Sequence, residues 1–132
     1  MRDLTERALN LAEVQGASYA DVRIVRRQTQ DITVKNGVVE GLAENETRGF
    51  GVRVVVDGAW GFASSALLTP AEVDRVAALA VQIARASALF KTRAVELGPP
   101  VTSTGTYRTP VQIDPWDVSL EEVNLVQGIA QI

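Results

Sequence analysis

With neither histidine nor cysteine in this 132-residue sequence, the groups left for acid–base work or for holding a metal are chiefly carboxylates. That excludes a Ser-His-Asp triad, a Cys-His pair, an H-E-x-x-H zinc helix and any thiolate site or disulfide. The acidic residues of interest fall in three places: Glu40, Glu44 and Glu46 on or beside a strand, Asp114 and Asp117 in a connector, and Glu121 and Glu122 in a first helical turn. Glutamates at a helix start ordinarily complement its dipole. A carboxylate-only Mg²⁺ or Ca²⁺ site stays open, although no run has EF-hand spacing. Gly49-Phe50-Gly51 is not a phosphate loop, since a G-x-G-x-x-G pattern would need glycine where Val54 stands. Within a strand, such glycines suit a twist or bulge.

The stretch that must position everything else is Asp31 to Ser65, which carries two hairpin turns between alternating segments. Asn36-Gly37 and Asp57-Gly58 are the dipeptides that type I′ turns prefer, because both central residues need positive φ. A two-residue turn sets the register. Across Asn36-Gly37, Val34 then pairs with Val39, Thr33 with Glu40 and Ile32 with Gly41; Ile32, Val34, Val39 and Ala43 share one face, Thr33, Lys35 and Glu40 the other. Across Asp57-Gly58, Val56 meets Ala59, Val54 meets Gly61 and Val52 meets Ala63, an aliphatic face with small residues on which a helix can dock closely. The reverse face pairs Val55 with Trp60 and Arg53 with Phe62. Two readings of Arg53, Val55, Trp60 and Phe62 stand side by side: a second hydrophobic layer of this domain, or an interface or substrate-cavity face, where aromatics and arginine are enriched.

A chain of this length with no internal repeat is expected to form one domain and to bury roughly 65–70% of its unfolded surface. The net charge of −3, with basic residues scattered, argues against nucleic-acid binding. The start carries charges of both signs and the longest apolar run, Val76 to Val81, is short, so neither a signal peptide nor a membrane span is expected. The location that follows is cytoplasmic, with Asn45-Glu46-Thr47 a chance glycosylation sequon.

Along the chain, residues 3–15 predict an amphipathic helix with a stripe of Leu4, Ala8, Leu11 and Ala12, a capping-box-like Asp3-Leu4-Thr5-Glu6 and a stop at Gly16. Residues 19–29 alternate as a half-buried strand. Thr69-Pro70-Ala71-Glu72 starts a helix running to about Phe90, its stripe Val73, Val76, Ala80, Ile83 and Ser87. The expected fold is therefore two-layer α+β: a helix, an antiparallel sheet of about five strands, and a long helix, all within residues 1–97. Residues 98–118, rich in Pro, Thr and Gly, predict an extended connector, and residues 119–132 begin a further helix at a Ser119-Leu120-Glu121-Glu122 capping box, with Val123, Val126 and Ala130 as its stripe. That helix has no C-cap before Ile132, which leads to the expectation of a chain that is the front part of something longer.

Tyr19-Ala-Asp-Val-Arg23, Val34-Lys-Asn-Gly37, Gly49-Phe-Gly-Val-Arg-Val54 and Asp57-Gly-Ala-Trp-Gly-Phe-Ala-Ser-Ser65 occur in an order and spacing that resemble the N-terminal region of the TldD/PmbA family. These are zinc metallopeptidases, also labelled modulators of DNA gyrase, and the likeness covers nearly the whole chain. The Gly-Ala-Trp-Gly-Phe-Ala-Ser run and Asp114-Pro115 followed by Ser119-Leu-Glu-Glu122 resemble the TldD-like branch. The resemblance implies a zinc site in a later region, in an H-E-x-x-x-H helix that no position here matches, so no catalytic, cofactor or metal residue carries over. It also implies a parent peptidase acting on unfolded peptides, with this α/β module accompanying a C-terminal peptidase domain and a homologous subunit in a homo- or heterodimer. The gyrase label implies no DNA site here, since the charge stands against one.

Two functions from different classes are consistent with these residues. One is an accessory N-terminal domain of such a metallopeptidase, inactive alone, whose aromatic face serves assembly or the substrate cavity. The other is a free-standing module that pairs with a full-length homologue or takes an extended peptide at a sheet edge.

Overall fold

The structure is a computed structural model and describes residues 1–123. In order, it contains α1 (Arg2–Val14), β1 (Tyr19–Lys35), β2 (Val38–Val56), β3 (Ala59–Ser65), α2 (Pro70–Ala88) and a 3₁₀ turn, Pro115–Asp117. The sheet is three-stranded in the order β1-β2-β3, and β2 and β3 are antiparallel. The expectation of about five strands is corrected. Residues 19–29 and 31–35 form one strand, and the two halves of β2 are joined through Ala43–Arg48. No Pro or Gly turn interrupts Gln28–Asp31, and the polar run of β2 stays extended, so alternation that fades into exposed polar residues did not end a strand.

The chain divides into two units, Met1–Arg27 with Thr47–Pro100, and Gln28–Glu46 with Val101 onward. In the first, Ala8 and Ala12 of α1, Phe50, Val52, Val54 and Val56 of β2, and Val73, Val76, Ala77, Ala80, Val81 and Ala84 of α2 form the core. The β2–β3 register is the expected one: Val56 opposes Ala59, Val54 opposes Gly61, Val52 opposes Ala63. Asp57 and Gly58 have φ of 49° and 72°, the left-handed pair of a type I′ turn. Gly61 lets α2 lie against β3, since a Cβ there would meet the Ala80 carbonyl oxygen and come within 2.6 Å of the Ala84 nitrogen.

That contact decides the phase of α2. The buried stripe is Val73, Val76/Ala77, Ala80/Val81 and Ala84, whereas Ile83 and Ser87 of the expected stripe are exposed. Both phases have helical spacing, but only the alanine-rich one can approach a strand backbone this closely. The start of α2 is as expected: Thr69 is the N-cap, its hydroxyl accepting from the Glu72 N–H at 3.3 Å, with Pro70 at the first helical position.

α1 begins at Arg2, one residue earlier than expected, with Met1 as N-cap and no side-chain cap. Asp3 therefore sits in the first turn, favourably placed for the helix dipole, instead of capping. The helix ends in a Schellman motif at Gly16, φ 90°, where Gly16 N–H donates to Glu13 O (2.9 Å) and Ala17 N–H to Ala12 O (3.0 Å). Arg7 grips Asp74 through two bonds of 2.6 and 2.7 Å, and Arg85 donates to the Gln15 carbonyl at 2.7 Å, so the two helices are joined near both ends.

In the second unit, Asn36 and Gly37 (φ 50° and 73°) again make a type I′ turn. Ile32, Val34 and Val39 are half-buried as expected, but Ala43 is exposed. Farther from the turn the faces change. A Cβ on Gly41 would lie 3.7 Å from Thr33 Cβ, and Gln30 donates to Glu44 at 2.6 Å. Gly41 thus shares a face with Thr33 instead of Ile32, a one-residue offset that moves the following side chains across the sheet. Asp114 caps the 3₁₀ turn by accepting from the Trp116 N–H at 3.1 Å, and a reciprocal Ser119/Glu122 capping box, both bonds 3.3 Å, opens the next helical turn. Val126 and Ala130 lie outside the described residues.

Candidate functional site

Strand alternation sends Arg53, Val55, Trp60 and Phe62 to the sheet face opposite α2, with Arg53 opposing Phe62 and Val55 opposing Trp60. Arg53 is held by Asp21 of β1, which accepts from Nε at 2.8 Å and from Nη2 at 2.7 Å. Its guanidinium also lies 4.9 Å from the Trp60 ring centre, a cation–π arrangement. The bond to Asp21, followed by its charge, holds Arg53 still further above the ordinary guanidinium range, so it is a permanent cation. Trp60 meets Tyr19 edge to face, ring centres 5.9 Å apart at 88°.

Three of these four side chains remain accessible: Trp60 is 38% exposed, Phe62 57%, and Arg53 is half-exposed. Val55 is 3% exposed and its carbonyl accepts from both the backbone and the hydroxyl of Ser18, so it supports the face from below. The arrangement lies between the two sequence readings, with aromatics that contact one another and still meet solvent.

Beside Arg53 lies a depression of about 590 Å³ that sequence reasoning missed. Its floor is Gly49 and Gly51 of β2, with Arg23 and Val25 of β1 and Phe62 and Ser64 of β3 among its walls. A Cβ on Gly51 would fall 2.7 Å from the Phe62 ring, so a larger residue there would push that half-exposed side chain aside and narrow the depression. The signal was present in the i, i+2 spacing of the two glycines, which places both on one face of a strand. What the spacing lacked was the identity of the flanking walls.

The carboxylates singled out in the sequence do not converge. Glu40 faces Lys35 at 4.0 Å, Glu44 accepts from Gln30, Asp114 pairs with Arg108 at 2.7 Å, and Glu122 is bound into its capping box. Among the described residues, no three acidic side chains come together where a metal ion could sit. With no histidine or cysteine in the sequence either, the residues of this chain do not fit a zinc ion. No described helix is long and apolar enough to cross a membrane.

Helix, antiparallel hairpins and a helix packed through Gly61 define an α+β module whose sequence holds neither histidine nor cysteine. Residues 20–84 match the family model described as PmbA/TldA metallopeptidase domain 1. The protein called metalloprotease MJ0996 from Methanocaldococcus jannaschii is 29% identical over 118 residues, covering 86% of this chain and 26% of that protein. The crystal structure of TldE from Thermococcus kodakarensis superimposes with a TM-score of 0.64 over 97% of this chain and 28% of that one; at 15% identity it attests the fold alone. Residues 20–84 of the chain thus form a PmbA/TldD-family first domain.

Proposed function

We propose that this chain is the accessory domain of a TldD/PmbA-type metallopeptidase that degrades or processes unfolded peptides. It has no activity of its own and serves assembly or the substrate cavity through the Arg53, Trp60 and Phe62 face. The observation that carries this reading is the pairing of a match to the first domain of a metallopeptidase family with a sequence lacking every usual zinc ligand except carboxylates. The chain spans about a quarter of the length of the Methanocaldococcus jannaschii and Thermococcus kodakarensis proteins described above, which accords with chemistry supplied by another region. Its partners on this view are a C-terminal peptidase domain, where zinc would reside, and a homologous subunit. The half-exposed aromatics held around Arg53 are the kind of surface that such contacts use.

A peptidase assay on an unfolded peptide with added Zn²⁺ tests it. The 132-residue chain is expected to leave the peptide intact, and the same chain joined to an H-E-x-x-x-H peptidase region is expected to cleave it. Cleavage by the 132-residue chain alone would overturn the proposal.

A further inference from the structure

The trough over Gly49 and Gly51 joins apolar surface to a charged rim. Both neighbours of β2 in the sheet are strands, so the backbone groups of its floor are directed at β1 and β3 and offer little to a ligand. Contact with the floor is then van der Waals contact with flat glycine backbone, and Val25 and Phe62 add apolar walls. Of the two guanidinium groups at the rim, Arg53 is occupied by Asp21. Arg23 makes no ion pair or side-chain hydrogen bond among the described residues, which leaves one uncompensated positive charge beside an apolar trough. That is unlike a phosphate site, which would need several donors, and unlike a strand-addition edge, which would need free backbone groups.

We infer that this trough binds an extended peptide segment in which a glutamate or aspartate is flanked by apolar residues, the carboxylate on Arg23 and an apolar side chain over Gly51 against Phe62. The inference deepens the reading of this face as a contact or substrate surface and rests on it. A volume of about 590 Å³ suits a few side chains, and the charge sign is opposite to that of the chain as a whole.

The test uses the full 132-residue chain and two peptides, acetyl-Thr-Leu-Glu-Leu-Thr-amide and its glutamine isostere, followed by ¹⁵N amide shifts. The glutamate peptide is expected to move the amides of Gly49, Gly51 and Ser64 and to bind about fivefold more tightly, the worth of one partly exposed ion pair. Raising NaCl to about 0.5 M should erase that preference through screening. Arg23→Gln should bind both peptides equally, and Gly51→Ala should weaken both by crowding the floor. Equal affinity for the two peptides in the unsubstituted chain, or shifts confined to other surfaces, would overturn the inference. Those outcomes leave the peptidase assay untouched, so failure of the trough and failure of the accessory-domain reading are read by separate experiments.

Discussion

At the scale of single residues, Gly61 is the most exacting position. Its missing side chain is what allows Ala80 and Ala84 to lie on β3, and an added Cβ would meet helix backbone, which cannot swing aside as a side chain can. Gly61→Ala is therefore expected to destabilise the chain by about 3 kcal/mol, at the upper end of overpacking penalties. The midpoint of urea denaturation reads this. Gly98→Ala, which adds a methyl group to open space, should leave the midpoint nearly unchanged and serves as the control. If both glycines tolerate alanine equally, the close approach of α2 is wrong.

At the scale of elements, the first turn of α2 combines a capping threonine, a proline and Glu72, whose carboxylate receives two bonds from Arg75, at 2.8 and 2.7 Å. Those bonds first, and one from Ser65 next, hold the Glu72 carboxyl at about 2, against an ordinary 4.5. A depressed carboxyl favours the folded state above its unfolded value and loses that contribution as the pH falls. The stability difference between the native chain and Glu72→Gln should thus be constant above pH 4.5 and shrink steadily toward pH 2, as followed by thermal melts across that window. Asp74, lowered by its bond to Arg7, acts in the same direction. A difference that grows on acidification would contradict the ion pair. The strands illustrate the opposite case, since β1 and β2 continue through polar segments with few apolar residues to announce them.

At the scale of the whole molecule, the proposal that a partner covers the Arg53, Trp60 and Phe62 face is tested at Trp60. Trp60 already touches Tyr19 and Arg53 within the chain, so Trp60→Ala will lower folding stability somewhat. With 38% of the residue still exposed, the larger effect should fall on association with a full-length PmbA/TldD protein, by tenfold or more as for an interface anchor, measured by sedimentation beside a denaturation curve. Lost folding with unchanged association would make Trp60 a core residue and the face a satellite of the domain's own packing.

Much of this was legible before any coordinates. Asn36-Gly37, Asp57-Gly58, Gly16 and Thr69-Pro70 each encode a local conformation through the φ their own atoms allow, so both turns, the end of α1 and the start of α2 follow from the sequence alone. The β2–β3 register followed too, because a two-residue turn transmits it over a short distance. What the sequence could not settle is whatever depends on which surfaces meet. The phase of α2 had two equivalent solutions until Gly61 met Ala80 and Ala84. The β1–β2 faces shift by one residue beyond the turn, a choice made by cross-strand contacts such as Gly41 beside Thr33 and not by the turn dipeptide. The trough exists only because β1 and β3 bring Arg23 and Phe62 to either side of two glycines. Local chemistry determined the joints of this protein; tertiary packing, by choosing which faces exclude water, decided the phase of α2 and the walls of the trough.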